Sequence, residues 1–174
     1  LGLGNEQLSP ADVIRAILKA EVDLVWFGGI GTYVKAATET DAQAGDKAND
    51  ATRINGVDIR ALVVGEGANL AMTQLGRVEY ARKGGRLNTD AIDNSAGVNS
   101  SDLEVNIKIA LGALTRTGQL TTQTRNEFLA SMTDQVAELC LRNNYLQTLA
   151  LSVEEYRGLA ALPEHQSLIE ALEA

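Results

Sequence analysis

Two asparagines, Asn69 and Asn94, stand in glycine- and aspartate-containing loops that each follow a segment predicted to be a strand. Their amide side chains can donate and accept hydrogen bonds, as contact with a ribose or a carboxamide requires. In an open α/β sheet, ligands bind in loops at the carboxyl ends of the strands. We therefore expect both amides to lie at one edge of a sheet. The alternative is that each asparagine only closes its own turn.

Paired glycines mark the same strand ends. Gly65 and Gly67 follow the apolar run ALVV, where they let the backbone turn sharply and let a ligand approach it closely. Gly28 and Gly29 end an earlier apolar segment in the same way, and contact with a phosphate is one option there. On spacing alone, a turn that needs glycine for its geometry and binds nothing is favoured, because a lone GxG is weak.

The elements that must position these loops are predicted from apolar spacing. We predict strands near Leu24, Val63 and Asn88, the last over residues 86–92, and a helix over residues 70–82. Because a helix that connects two strands is the usual crossover between parallel neighbours, and such crossovers are normally right-handed, these strands should run parallel. The fold class is therefore α/β, with a short, mostly parallel sheet flanked by helices.

Helix starts have their own local signals. Residues 1–7 carry none and predict an irregular start. Ser9 as N-cap, Pro10 at the first helical position and an aspartate two residues later predict a helix. Ser100 or Ser101 can cap another helix, and Ser101 with Glu104 fits a capping box, which predicts a helix start near Ser101.

Two further regions differ in character from the strand–loop units. Residues 36–60 are polar and predict a solvated surface loop with a short helix over residues 47–54. After Gly118, apolar residues recur at three- and four-residue steps, which predicts an α-helical extension over residues 118–174. Cys140 lies on this apolar stripe, so we interpret it as a buried structural thiol.

Composition bounds the class of protein. The 174 residues suit one domain with a sizeable core. A formal net charge of −8 disfavours nucleic-acid and anionic-membrane partners, and a single cysteine excludes an internal disulfide. There is no signal peptide, spanning segment or Cys/His cluster for a metal, so we expect a cytoplasmic protein without a metal site.

Four separated motifs carry a resemblance to a known family. The stretches GGIGTYVKA, GDKANDATR, VVGEGANL and NTDAIDNSAGVNSSDLE occur in this order. Together they resemble the large NAD-specific glutamate dehydrogenases of bacteria, over about residues 22–115.

The resemblance implies a fold, a reaction and a set of contacts. Residues 1–117 would be the second half of a Rossmann-like NAD-binding domain, in an enzyme that converts L-glutamate to 2-oxoglutarate and ammonia. Ser101 would meet the substrate carboxylate. No catalytic residue would lie in this chain, because the family's lysine and aspartate belong to an upstream substrate domain. The isolated chain would then be an inactive fragment of a homo-oligomeric enzyme. The implied NAD contacts are Gly28, Gly29, Gly65, Gly67, Asn69 and Asn94.

Two other functions stay open from the sequence. The chain could be a non-catalytic regulatory or assembly module that keeps the Rossmann-like fold, because fold alone does not fix function. A small-nucleotide sensor is a third reading, and it depends only on the glycine loops.

Overall fold

A computed structural model describes residues 7–174 of the protein. Leu1 to Glu6, where the sequence predicts an irregular start, lie outside the described residues. The chain divides into two compact units, one ending at Ser95 and the other beginning at Ala96. The predicted domain boundary between residues 117 and 118 concerns the intact protein and stays a prediction.

The first unit contains short helices and two pairs of strands. Its helices are α1 (Pro10–Leu18), α2 (Asp41–Ala44), α3 (Gln74–Arg82) and α4 (Asp90–Asp93). Its strands are β1 (Leu24–Phe27), β2 (Val34–Lys35), β3 (Ile54–Asn55) and β4 (Val63–Glu66). Single 3-10 turns span Lys47–Asn49 and Gly56–Asp58.

The start of α1 agrees with its sequence signal. The Ser9 side chain accepts a hydrogen bond from the backbone of Asp12, and the Asp12 side chain bonds back to the N-cap. This capping box satisfies backbone N–H groups that a helix end otherwise leaves unpaired. The predicted N-cap is therefore confirmed.

The strands are parallel, as predicted. β1 pairs with β4 so that Leu24 lies opposite Val63 and Phe27 opposite Glu66, and β2 pairs with β3. A single parallel bridge joins Val63 to Arg86 on the other side of β4. The strand predicted over residues 86–92 is otherwise wrong, because α4 occupies its second half.

One face of the β1–β4 sheet is buried and the other is open. Phe27 and Val64 join a core that also contains Tyr80 of α3, whose hydroxyl donates to the carbonyl of Ala61 at 2.8 Å. The remaining buried members of this core are Leu18, Val34, Ile54, Ile59, Ala61, Ala71 and Met72. Leu24 and Trp26 lie on the opposite face and are exposed.

The loop after β4 is longer than predicted. Helix α3 begins at Gln74, with Thr73 as its N-cap, and not at residue 70. Leu70 has a φ of 62°, which an α-helix does not allow, so the loop continues through it. The end of α3 agrees with the sequence, because Gly84 follows it with a φ of 98°.

The second unit is helical, as predicted for residues 118–174. It consists of α5 (Ser95–Arg116), α6 (Thr122–Ser131), α7 (Thr133–Arg157), a 3-10 turn (Gly158–Ala161) and α8 (Leu162–Glu173). Thr121 caps α6, and the apolar stripe predicted after Gly118 is divided between α6 and α7. Cys140 is buried, as predicted.

The predicted helix start at Ser101 is wrong. Helix α5 already begins at Ser95, so Ser101 and Glu104 both lie within it and form no capping box. Val105, Ile109 and Leu114 of this helix are exposed.

No helix in the described part of the chain combines the length and the apolar character needed to cross a membrane.

Candidate functional site at the carboxyl ends of β1 and β4

Two loops meet where β1 and β4 end. Phe27 and Glu66 are register partners, and the backbone N–H of Ala68 donates to the carbonyl of Phe27 at 3.0 Å. Further along, the hydroxyl of Thr32 donates to the carbonyl of Leu70 at 2.7 Å. The glycine-rich loop after β1 therefore lies beside the GEGAN loop after β4, as the sequence predicts.

The structure brings the two predicted asparagines together. The Nδ2 group of Asn94 donates a hydrogen bond to Oδ1 of Asn69. Asn94 does not follow a strand, because it ends the short helix α4. Across residues 7–174, no hydrogen bond uses Nδ2 of Asn69 or Oδ1 of Asn94. The pair thus presents one free donor group and one free acceptor at the strand ends.

A buried ion pair supports the loop that carries Asn69. Glu66 is 0% exposed, and its carboxylate accepts from Nε of Arg77 at 2.6 Å and from Nη2 at 2.9 Å. The backbone N–H of Met72 donates to the same carboxylate at 3.3 Å. Hydrogen bonding to Glu66 raises the pKa of Arg77, although burial of the guanidinium acts against it. The bidentate geometry fixes both side chains in one orientation.

Two aspartates of α4 connect that helix to the same loop. Asp93 accepts from the backbone N–H of Glu66 at 2.9 Å, and Asp90 accepts from that of Leu70 at 2.8 Å. Asp90 also pairs with Nη2 of Arg77 at 3.2 Å. These contacts place the end of α4, and hence Asn94, beside the GEGAN loop.

Sequence reasoning missed this network. The available signal was Glu66 itself, a carboxylate next to the apolar run ALVV, since a buried charge requires a partner. Its partner could not be named, because Arg77 is eleven residues away on a different element.

Gly65, within β4, and Gly67, directly after it, have a physical role other than ligand approach. A Cβ added at Gly65 would lie 2.6 Å from Cζ3 of Trp26, and one at Gly67 would lie 2.6 Å from Cζ2. A side chain at either position would therefore displace the indole. Gly65 is buried, whereas Gly28, Gly29 and Gly67 are exposed. The predicted cofactor contacts of these four glycines stay predictions.

The polar segment of residues 36–60 makes more side-chain contacts than the solvated surface loop that the sequence predicts. The Arg53 side chain is buried, donates to the carbonyl of Thr32 at 2.9 Å and pairs with Asp41 and Asp50 at 2.9 and 2.6 Å. Burial lowers the pKa of Arg53, but its hydrogen bonds to these two aspartates outweigh that effect and raise it. This Arg53 cluster holds the loop after β1.

Asp46 secures the same loop from its other side. Its carboxylate accepts from the backbone N–H of Thr32 at 2.8 Å and from Nδ2 of Asn49 at 2.6 Å. Both hydrogen bonds lower the pKa of Asp46, with the backbone bond contributing more. The GDKANDATR segment is therefore a support for the candidate site.

Ser101 lies apart from the network around Asn69 and Asn94 in the chain, because it belongs to helix α5. Its side chain is exposed on α5 in the second unit. The predicted contact with a substrate carboxylate stays a prediction.

Comparison with known proteins gives the family. Residues 1–154 match the model of the bacterial NAD-glutamate dehydrogenase catalytic domain. Three similar proteins are named NAD-specific glutamate dehydrogenase. The protein of Halomonas elongata is 54% identical over 99% of this chain, that of Pseudomonas aeruginosa 53% over 97%, and that of Mycobacterium tuberculosis 49% over 98%. The chain spans only 10–11% of the length of these relatives. The chain belongs to the family of the bacterial NAD-glutamate dehydrogenase catalytic domain.

Proposed function

We propose that the intact protein oxidises L-glutamate to 2-oxoglutarate and ammonia, and that this chain contributes part of its NAD site. The family and the names of the three relatives support this function. When bound, NAD would accept the hydride from the substrate, while the protein binds and orients both molecules.

The Asn69–Asn94 pair is the observation that carries the proposal. Its free Nδ2 donor and free Oδ1 acceptor complement a primary carboxamide, which offers one carbonyl acceptor and one amide donor. The nicotinamide of NAD carries such a group. The pair lies at the carboxyl ends of two parallel strands, where open α/β sheets bind their ligands. The residues present therefore fit the nicotinamide end of NAD.

The remaining contacts follow from the same orientation. We propose that exposed backbone at Gly28, Gly29 and Gly67 lies beside the cofactor, and that Gly65 contributes by seating Trp26. Ser101 would bind the substrate carboxylate. Residues 1–117 would form the second half of a Rossmann-like domain, with residues 118–174 packed on it as a helical extension.

We assign the acid–base chemistry to another part of the polypeptide. The chain spans about a tenth of its relatives, which supports a separate substrate domain in the same protein. The intact enzyme would be a cytoplasmic homo-oligomer, and these 174 residues alone would not reduce NAD with glutamate.

The experiment uses the intact protein with Asn69→Ala and Asn94→Ala. Losing one neutral hydrogen bond of about 1 kcal/mol should weaken NAD binding several-fold. The pair is exposed, so we expect the melting temperature to stay almost unchanged. The measurements are the KM for NAD, the turnover number and a thermal melt.

Asn88→Ala is the matched control, because Asn88 is an exposed asparagine just before α4 whose Nδ2 group donates to Asp93 at 3.2 Å. An unchanged KM for NAD with a lowered melting temperature would return Asn69 and Asn94 to a turn-closing role. A folded intact protein that forms no NADH from glutamate would favour the regulatory or assembly module.

A further inference from the structure

The indole of Trp26 occupies the open face of the sheet at its carboxyl end. Trp26 is the register partner of Gly65, and its ring lies lengthwise across Gly65 and Gly67. The pyrrole edge extends further, since Cδ1 lies 3.7 Å and Nε1 3.9 Å from where a Cβ at Gly28 would be. The ring therefore reaches the first residue after each strand.

This ring is not part of the hydrophobic core. Trp26 is 56% exposed, whereas the next residue, Phe27, is 7% exposed. One side of the ring contacts backbone at two glycines, where any side chain would displace it. A large aromatic surface is thus held against a rigid strand with much of it open to solvent.

We propose that Trp26 forms a stacking surface for the nicotinamide end of NAD. This inference rests on the proposed function and adds a residue to its site. Gly67, against which the Trp26 ring lies, is two residues before Asn69, so the aromatic surface lies against the loop that carries Asn69. Aromatic rings stack favourably on planar rings of ligands, and removing such a contact weakens binding measurably.

The competing role for Trp26 is packing against another part of the polypeptide. Leu24 shares its sheet face and is 54% exposed, and parallel sheets are normally covered on both faces. Leu24 lies at the start of β1, away from the glycine loops, so it separates the two roles. A packing segment would use both residues, whereas a cofactor at the strand ends would use Trp26 alone.

The test measures the dissociation constant for NAD by calorimetry and the melting temperature of the intact protein. Trp26→Ala should weaken binding roughly tenfold, which corresponds to about 1.4 kcal/mol. Trp26→Phe retains an aromatic ring, so it should weaken binding less than about threefold. Leu24→Ala, the matched control, should bind NAD as the wild type does.

Two results would overturn the inference. One is an unchanged dissociation constant in Trp26→Ala, or in Trp26→Leu if the alanine variant does not fold. The other is equal weakening in Trp26→Ala and Leu24→Ala with matched losses of melting temperature, which would assign the face to packing. Wild-type protein that binds no NAD would instead overturn the proposed function.

Discussion

Replacing Arg77 with methionine should open the loop that carries Asn69. The substitution keeps an unbranched side chain, shorter than that of arginine, but removes both hydrogen bonds to Glu66, at 2.6 and 2.9 Å. Glu66 would then be a fully buried carboxylate with one weak partner, the N–H of Met72 at 3.3 Å. Breaking a buried ion pair from one side typically costs about 3–5 kcal/mol.

Hydrogen exchange read by mass spectrometry measures this cost locally. If the loop opens 3 kcal/mol more easily, amides over residues 63–72 should exchange roughly a hundredfold faster. Arg82→Met is the matched control, since Arg82 is an exposed arginine in the last turn of the same helix. Peptides of α7 should exchange at the wild-type rate in both variants.

A second variant tests the physical reason. In Glu66→Leu/Arg77→Met the fully buried carboxylate is removed together with Arg77, and replacing a whole buried pair by apolar residues is often neutral. The double variant should therefore exchange more slowly than Arg77→Met alone. Equal exchange in the two variants, or no difference between Arg77→Met and Arg82→Met, would refute the reasoning.

Two further predictions concern the neighbouring loops. The pKa of Asp46 is lowered in the folded state, chiefly by the hydrogen bond from the Thr32 N–H. The charged carboxylate therefore stabilises the fold above the pKa of the unfolded state, and this stabilisation is lost as the pH falls through the pKa of the folded state. Asp46→Asn should thus melt below the wild type near pH 7, with the gap closing below about pH 4; a constant gap would contradict this. Leu70 has a φ of 62°, a backbone conformation that costs a residue with a side chain about 1–2 kcal/mol. Glycine avoids this cost, but its greater conformational freedom in the unfolded state lowers the stability by about 0.5–1 kcal/mol. Leu70→Gly should therefore be more stable than Leu70→Ala by about 0.5 kcal/mol in urea unfolding, and the reverse order would show that no strain is relieved.

Short sequence patterns predicted correctly those features that depend on residues close together in the chain. The cap at Ser9 depends on a residue three positions away, and it was predicted correctly. The parallel pairing of β1 with β4 was also predicted, because continuous apolar runs separated by a long connection leave few other arrangements.

The errors lie where distant residues decide the backbone. The strand predicted over residues 86–92 gives way to α4, in which Asp90 and Asp93 bind backbone N–H groups of the loop after β4. Ser101 and Glu104 match a capping box, yet the helix already starts at Ser95 and contains them both. A short pattern cannot exclude a helix that begins earlier.

The candidate site was half predictable. Asn69 and Asn94 were expected at one edge of the sheet and lie hydrogen-bonded to each other. The Glu66–Arg77 pair and the role of Trp26 were not foreseen, because each joins elements far apart in sequence. Composition is sufficient to predict polar loops, whereas the distant residues that hold those loops in place cannot be identified from it.

The contact between Trp26 and two glycines constrains which substitutions the β1–β4 pair can accept during evolution. A single replacement of Gly65 by any other residue introduces a Cβ within 2.6 Å of the indole, against backbone that is itself paired in the sheet. A smaller residue at Trp26 would leave room for a side chain at Gly65 or Gly67. In the reverse order, the new side chain would move the indole from its place across β4. Substitutions at Trp26, Gly65 and Gly67 are therefore coupled, because the position of the indole depends on the absence of a side chain at both glycines.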